Sequence, residues 1–310
     1  MRQIRRRNLL RVCLLIINAL LMHIADAQTD KAKPVVSTGK IIHWESFHSQ
    51  YVDPRSIDIW LPEGYSSSLR YPVLYMHDGQ MLFDSSITWN HQEWQVDETL
   101  QHLFDTATVK PFIVVAIWNT GKYRNSEYLP EKPVRAMAER YKNRFIQKEM
   151  ANRVLADSYL RFIVNELKPA IDSAFQTLPD RAHTFMAGSS KGGLISLYAV
   201  CEYPMVFGGA ACISTHWIGS MDAGNDEFPA SMLRYLRKNL PGAGAHRFYF
   251  DHGTIHLDSF YGVYQKRADQ IFIGRGYGKN DFLSVEFPGA DHTERDWAAR
   301  FSLPVRFLMK

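Results

Sequence analysis

A serine hydroxyl is a poor nucleophile at neutral pH unless a histidine takes its proton and a carboxylate holds that histidine. Gly188-Ser189-Ser190-Lys191-Gly192 supplies a serine in the setting such chemistry uses. A short apolar run from Thr184 through Ala187 leads into it, and an apolar segment of helical character leaves it. That is the strand, sharp turn and helix of a nucleophile elbow, with Ser190 at its tip. Gly188 and Gly192 keep bulk away from a strained turn, and Gly193 lets the helix approach the sheet. The plain alternative is a glycine-serine turn between a buried strand and a helix, so partners must be found elsewhere in the chain.

Five histidines follow Ser190: His216, His246, His252, His256 and His292. Only His292 stands beyond a late strand and before the last helix, in Gly289-Ala290-Asp291-His292-Thr293-Glu294. Sheets that carry such an elbow order their residues serine, acid, histidine, so the carboxylate falls between. Asp258, beyond a glycine turn and at the head of the next helix, is the favoured acid, and Asp251 at the preceding strand end is the alternative. A helix-capping carboxylate is the competing reading of Asp258. The oxyanion needs fixed N–H donors. The Lys191 amide is one, and the turn His77-Asp78-Gly79-Gln80 offers the other, with Gly79 permitting the bend and Gln80 donating. Trp118, His216, Trp217 and Trp89 are candidate substrate contacts. Two rivals stand beside this reading. Asp251, His252, His256 and Asp258 form a short cluster able to ligate zinc, but its spacing matches no standard motif and leaves Ser190 idle. Trp89, Trp94, Trp118 and Trp217 would suit a bare glycan-binding module.

The elements that must position these residues alternate. Strands are expected near 41–46, 55–61, 71–76, 111–118, 184–187, 207–213, 247–251 and 282–287. Helices are expected near 95–104, 155–175 with a kink or boundary at Pro169, after Ser190, and at 228–240, 258–272 and 295–309. The alternation at Ile57, Ile59 and Leu61 reads as an antiparallel, half-exposed strand. Strands alternating with helices argue for a mainly parallel sheet covered on both faces, in one domain without internal repeats. Residues 122–150 are polar and charged, a stretch that either shapes the pocket or is a solvated insertion.

Residues 1–27 read as a signal peptide: five arginines before an apolar stretch from Val12 to Ile24, then Ala25-Asp26-Ala27, with cleavage before Gln28. That segment carries the whole net charge of +4, so the remaining 283 residues are neutral. Nothing then argues for a nucleic-acid surface, and no membrane anchor is expected after cleavage. Residues 28–40 read as a flexible leader. Of three cysteines, Cys13 falls in the signal, and Cys201 and Cys212 could pair or stay as buried thiols.

The chain resembles the putative-esterase branch of the α/β-hydrolases, which includes enterochelin esterase-like proteins and the feruloyl and acetylxylan carbohydrate esterases. The resemblance covers residues 57–307. It rests on Tyr75-Met76-His77-Asp78-Gly79-Gln80, Trp94-Gln95-Val96-Asp97-Glu98, Gly188 to Gly193, Asp251-His252-Gly253-Thr254 to Asp258, and Gly289 to Glu294. It implies an α/β-hydrolase fold, nucleophile Ser190, base His292, acid Asp258, oxyanion amides at Lys191 and Gly79-Gln80, and no cofactor or metal. The expected substrate is a small-molecule or carbohydrate ester, or a siderophore-like one, met outside the cytoplasm in a secreted or periplasmic setting. Lys191 stands where many relatives carry an apolar or small residue. Acyl transfer with the same groups is the alternative to hydrolysis.

Overall fold

The computed structural model describes residues 33–221 and 226–310, so the expected signal peptide lies outside the described residues. Residues Pro34–Lys310 form one compact unit. Its centre is an eight-stranded sheet in the order β1-β2-β4-β3-β5-β6-β7-β8. The strands are β1 (Lys40–Phe47), β2 (Arg55–Leu61), β3 (Val73–His77), β4 (Ile113–Ile117), β5 (Thr184–Ser189), β6 (Gly209–Ile213), β7 (Arg247–Gly253) and β8 (Phe282–Phe287). β1 pairs antiparallel with β2, and β2 with β4; every other pairing is parallel. The central strands are buried on both faces, as a parallel sheet between helical layers requires. Two apolar clusters flank it, one around Tyr75, Tyr159 and Leu197 and one around Leu74, Trp94 and Phe301.

β2 departs from expectation. It is antiparallel, yet all seven residues are buried. Its polar positions meet partners in place of water: Arg55 forks onto Glu127 at 2.8 and 2.6 Å, and Asp58 meets His43 Nδ1 and Trp118 Nε1 at 2.5 Å each. The half-exposed edge is β1 instead. Alternation shows two different faces, but it does not say that the polar face is wet.

Residues 122–150 form three short helices, Arg124–Tyr128, Glu131–Arg135 and Glu139–Glu149. They are no solvated insertion, because Tyr128, Leu129, Val134, Met137, Phe145 and Met150 belong to the core. The kink expected at Pro169 is a wide turn at Ile163–Leu167 between helices Ala156–Phe162 and Lys168–Ala174. Proline has no N–H to donate, and the wider turn absorbs that gap. The closing helix is likewise two, Glu294–Arg300 and Ser302–Leu308, with Pro304 in the first turn of the second. Cys201 and Cys212 are buried free thiols.

The stretch expected to be a flexible leader is tied down from Val35 on. Ser37 and Thr38 N–H groups donate to Asp97 Oδ2 at 2.7 and 3.1 Å, and Trp60 Nε1 donates to the Thr38 carbonyl at 2.9 Å. Asp97 opens the helix Val96–Asp105 beside Glu98 and close to Glu93. Burial, then the charges of Glu98 and Asp97, push the Glu93 carboxyl from 4.5 up to about 7. A folded carboxyl raised in this way binds its proton more tightly than the unfolded one, so stability falls as pH rises from about 4.5 through 7. Glu93→Gln is therefore expected to raise the thermal midpoint at pH 8 and to change it little at pH 4.5. An equal change at both would contradict this.

Candidate functional site

The parallel register brings five chain segments to one edge of the sheet. Met76 lies beside Ala187, Ser189 beside Ile213, Ile213 beside Asp251, and Gly253 beside Phe287. The residues just beyond these strand ends are therefore neighbours: Asp78, Ser190, Ser214, Asp258 and His292. Strand carboxyl ends are where open α/β sheets carry their sites.

Ser190 has φ 57° and ψ −123°, a backbone state costly for a residue with a side chain. It is held there on both sides. Its N–H donates to the Ile213 carbonyl at 2.9 Å, and its carbonyl accepts from Gly193 at 3.1 Å and His216 at 3.1 Å. A Cβ on Gly188 would sit 2.8 Å from the Gly192 backbone, and one on Gly193 would sit 2.9 Å from Thr215 Oγ1. These two glycines make the elbow possible. Gly192 is less demanding, since its Cβ would find only ordinary contact with His77 at 3.5 Å.

His292 Nδ1 lies 2.6 Å from Asp258 Oδ1. Asp258 is fully buried, and its other oxygen accepts from Ser214 Oγ at 2.6 Å and from the Gly253 N–H at 2.7 Å. Burial alone would push this carboxyl up, but the bond to His292 and its charge, with Ser214 and Gly253, hold it below the usual range. An ionised carboxylate can only accept, so Nδ1 donates its proton to Asp258, and Nε2 is the ring nitrogen left outside this bond. The ring is wedged edge-on between Tyr261 and Trp297, at centroid distances of 5.7 and 5.0 Å. Asp251, the alternative acid, has other partners: Tyr249 OH at 2.9 Å, Arg300 Nη2 at 3.2 Å and the Ser214 N–H at 3.2 Å.

Ser190 and His292 line one cleft of about 450 Å³ together with Gln80, Trp89, Trp94 and Arg124. Lys191 opens the elbow helix, and Gln80 is the second residue of the single turn Gly79–Met81. Amides in a first turn have no partner within their own helix, so both are available as donors. Burial and the nearby Arg124 lower the Lys191 ammonium to about 8. The Gly79-Gln80 turn is clamped by residues 119–128. Asp78, itself at φ 56°, accepts from Arg124 Nε and Nη2 at 2.6 Å each and from Asn119 Nδ2 at 2.7 Å. Its N–H donates to Tyr128 OH at 3.2 Å. Gly79 itself admits no side chain, because a Cβ would lie 2.7 Å from the Ala116 backbone. Gly79→Ala is therefore expected to displace the turn and destabilise the fold by about 1–3 kcal/mol, the usual cost of overpacking. A thermal midpoint equal to wild type would contradict it.

The four candidate substrate contacts divide. Trp89 is 83% exposed at the rim of the cleft. Trp217 is wholly buried, stacked on Phe250 with its N–H on Gln265, and Trp118 is turned to Asp58 in the sheet; neither lines this cleft, because each indole N–H is satisfied in the interior. His216 is buried behind the elbow with Nδ1 2.6 Å from Tyr261 OH, and burial pushes it well below the ordinary histidine range. The zinc cluster is dispersed: His252 bonds the Gly253 carbonyl and His256 bonds Asp291, while Asp251 and Asp258 hold the partners given above. Glu294, from the segment that carries His292, also lines the cleft, and so do Trp297 and Asn119, which nothing in the sequence marks out. Trp297 lies on the face that helix Glu294–Arg300 turns to His292, a periodicity visible only once that helix is placed.

A strained serine between a strand and a helix, with an acid-backed histidine across a cleft at the strand ends, belongs to the α/β-hydrolase fold. Residues 49–307 match the family described as "Putative esterase", and the chain belongs to that family. It is 27% identical over 165 residues to the protein YbbA of Bacillus subtilis, covering 53% of this chain and 58% of that one. It is 27% identical over 166 residues to an endo-1,4-beta-xylanase/feruloyl esterase of Xylanibacter ruminicola, covering 50% of this chain and 18% of that one. The chain thus spans little more than half of the first of these relatives and less than a fifth of the second. Among solved structures it is similar to the enterobactin esterase FES of Shigella flexneri, with a TM-score of 0.62, 18% identity, and coverage of 90% of this chain and 61% of that one.

Proposed function

We propose that this protein is a serine esterase that cleaves carboxylic esters through an acyl-enzyme, with Ser190 as nucleophile, His292 as base and Asp258 as acid. The observation that carries the reading is the 2.6 Å contact of His292 with buried, ionised Asp258 across the cleft from a Ser190 held in a strained turn. Ser190 Oγ attacks the ester carbonyl while His292 Nε2 takes its proton. The N–H groups of Lys191 and Gln80 receive the oxyanion. The tetrahedral species collapses, His292 returns the proton to the leaving alcohol, and water activated by the same imidazole frees the acid. No metal or cofactor enters these steps. Membership of the esterase family supports hydrolysis over acyl transfer.

For the substrate we infer an acylated carbohydrate or a siderophore-like ester. The open Trp89 face at the rim supports it, since an exposed indole suits a sugar ring or an aryl acid. Relatives named feruloyl esterase and enterobactin esterase point the same way. Export with removal of residues 1–27 completes the reading and is tested by sequencing the mature N-terminus. The functional test is a panel of feruloyl and acetyl sugar esters and a catecholate triester beside p-nitrophenyl esters, each with wild type and Ser190→Ala. Turnover of at least one ester, lost in the variant, is expected. Turnover that survives in Ser190→Ala would overturn the assignment, and a preference for simple esters over every sugar and catecholate ester would overturn the substrate class.

A further inference from the structure

The Asp258 carboxylate is held by more than its histidine. Ser214 Oγ, which donates to Asp258 Oδ2 at 2.6 Å, accepts from Trp297 Nε1 at 3.0 Å and from Arg300 Nη2 at 2.8 Å. A hydroxyl has one proton and two lone pairs. Two donors fill the lone pairs, so the single proton has one place to go, the carboxylate. Ser214 itself sits at φ 42°, an uncommon state for a serine, at the end of β6. Arg300 Nη2 also faces Asp251 at 3.2 Å and lies 3.9 Å from Asp258, so one buried guanidinium stands between two buried carboxylates. Trp297 and Arg300 lie on the helix Glu294–Arg300, which begins two residues after His292. The element that delivers the base therefore also sets the group behind the acid.

Resting on the esterase reading above, we propose that Ser214 and Arg300 are positioning residues for the reaction: together with Asp251 they fix the Asp258 carboxylate so that Oδ1 alone is left to orient His292. Asp251 is then the counter-charge of Arg300, which explains a second buried aspartate so near the acid. The groups facing Asp258 are Ser214 from the end of β6, the Gly253 amide from β7, Tyr261 from the turn just beyond Asp258, Asp291 and His292 from the loop after β8, and Arg300 from the following helix. Deleting the Ser214 proton leaves a more basic carboxylate that holds imidazolium more strongly. Deleting the Arg300 charge does the same.

The experiment compares wild type with Ser214→Ala, Arg300→Met and Arg300→Lys. Hydrogen bonds to charged groups contribute roughly tenfold or more. Ser214→Ala is therefore expected to lower kcat by about 10-fold with KM within about 2-fold, and to move the acidic limb of the pH–rate profile upward by about half to one unit. Arg300→Met is expected to move the limb in the same direction, and Arg300→Lys to restore most of the shift. Proton NMR supplies a readout without turnover: the low-field imidazole N–H signal, assigned by its loss in His292→Gln, is expected to shift in Ser214→Ala. A limb and a signal both unmoved in variants that retain the wild-type fold would overturn the inference, and so would a loss of thermal stability alone. Should Ser214→Ala fail to fold, the Arg300→Lys and Arg300→Met pair decides. A wild type without esterase activity would sink the esterase reading, while the N–H signal would still decide whether Ser214 and Arg300 set the Asp258–His292 contact.

Discussion

Ser190→Ala is expected to reduce kcat/KM for any accepted ester by at least about 10,000-fold, the loss typical when a triad nucleophile is removed. The size follows from the chemistry, because without the hydroxyl no acyl-enzyme forms and only binding and the oxyanion donors remain. The fold is expected to persist. The strained backbone at φ 57° is held by main-chain bonds to Ile213, Gly193 and His216, and alanine keeps all of them. Equal thermal midpoints with a collapsed rate are the expected pair of results, read by ester hydrolysis and by thermal melting.

The second large effect separates the two aspartates. Asp258→Asn keeps the shape of the acid but offers His292 Nδ1 an amide in place of a carboxylate. The imidazole then loses both its charge partner and the bond that fixes its tautomer. A fall in kcat of about 10,000-fold is expected, as for other triads deprived of their acid. Asp251→Asn is expected to cost far less, about 10-fold, since Asp251 reaches the imidazole only through Arg300 and Ser214. Steady-state kinetics of both variants on one ester gives the comparison. A larger loss for Asp251→Asn than for Asp258→Asn would invert the assignment of the acid.

Those two aspartates also mark where the sequence stops being readable. Asp251 lies within β7, and Asp258 lies just beyond it in the single helical turn His256–Phe260. What separates them is a phenol at 249, two residues back along the same strand, and a guanidinium at position 300, whose meeting with Asp251 depends on how helix Glu294–Arg300 packs over the sheet edge. The elbow was legible for the opposite reason. Strand, turn and helix are adjacent in the chain, and glycines mark the places where Cβ atoms would collide. His292 was legible from its place after the last strand. The tryptophans were not, because an indole near a strand end packs inward or faces a cleft according to whether its N–H finds an internal acceptor. Trp217 finds Gln265 and Trp118 finds Asp58, whereas Trp89 stays out in the open. The burial of β2 was hidden for the same cause, since its polar residues look solvated until Glu127 arrives from a distant part of the chain and His43 from the strand paired beside it. The role of residues 122–150 followed suit: a charged composition gave no sign that Arg124 and Tyr128 would clamp the turn at Asp78.

In the proposed mechanism Ser190 is an activated nucleophile with His292 as its base. The most direct test is labelling of the protein by a fluorophosphonate, followed by mass spectrometry of the intact protein and its peptides. One adduct per chain is expected, on Ser190, formed quickly in wild type, slowly in His292→Ala and not at all in Ser190→Ala. An adduct on another residue, or a rate in His292→Ala equal to wild type, would contradict it.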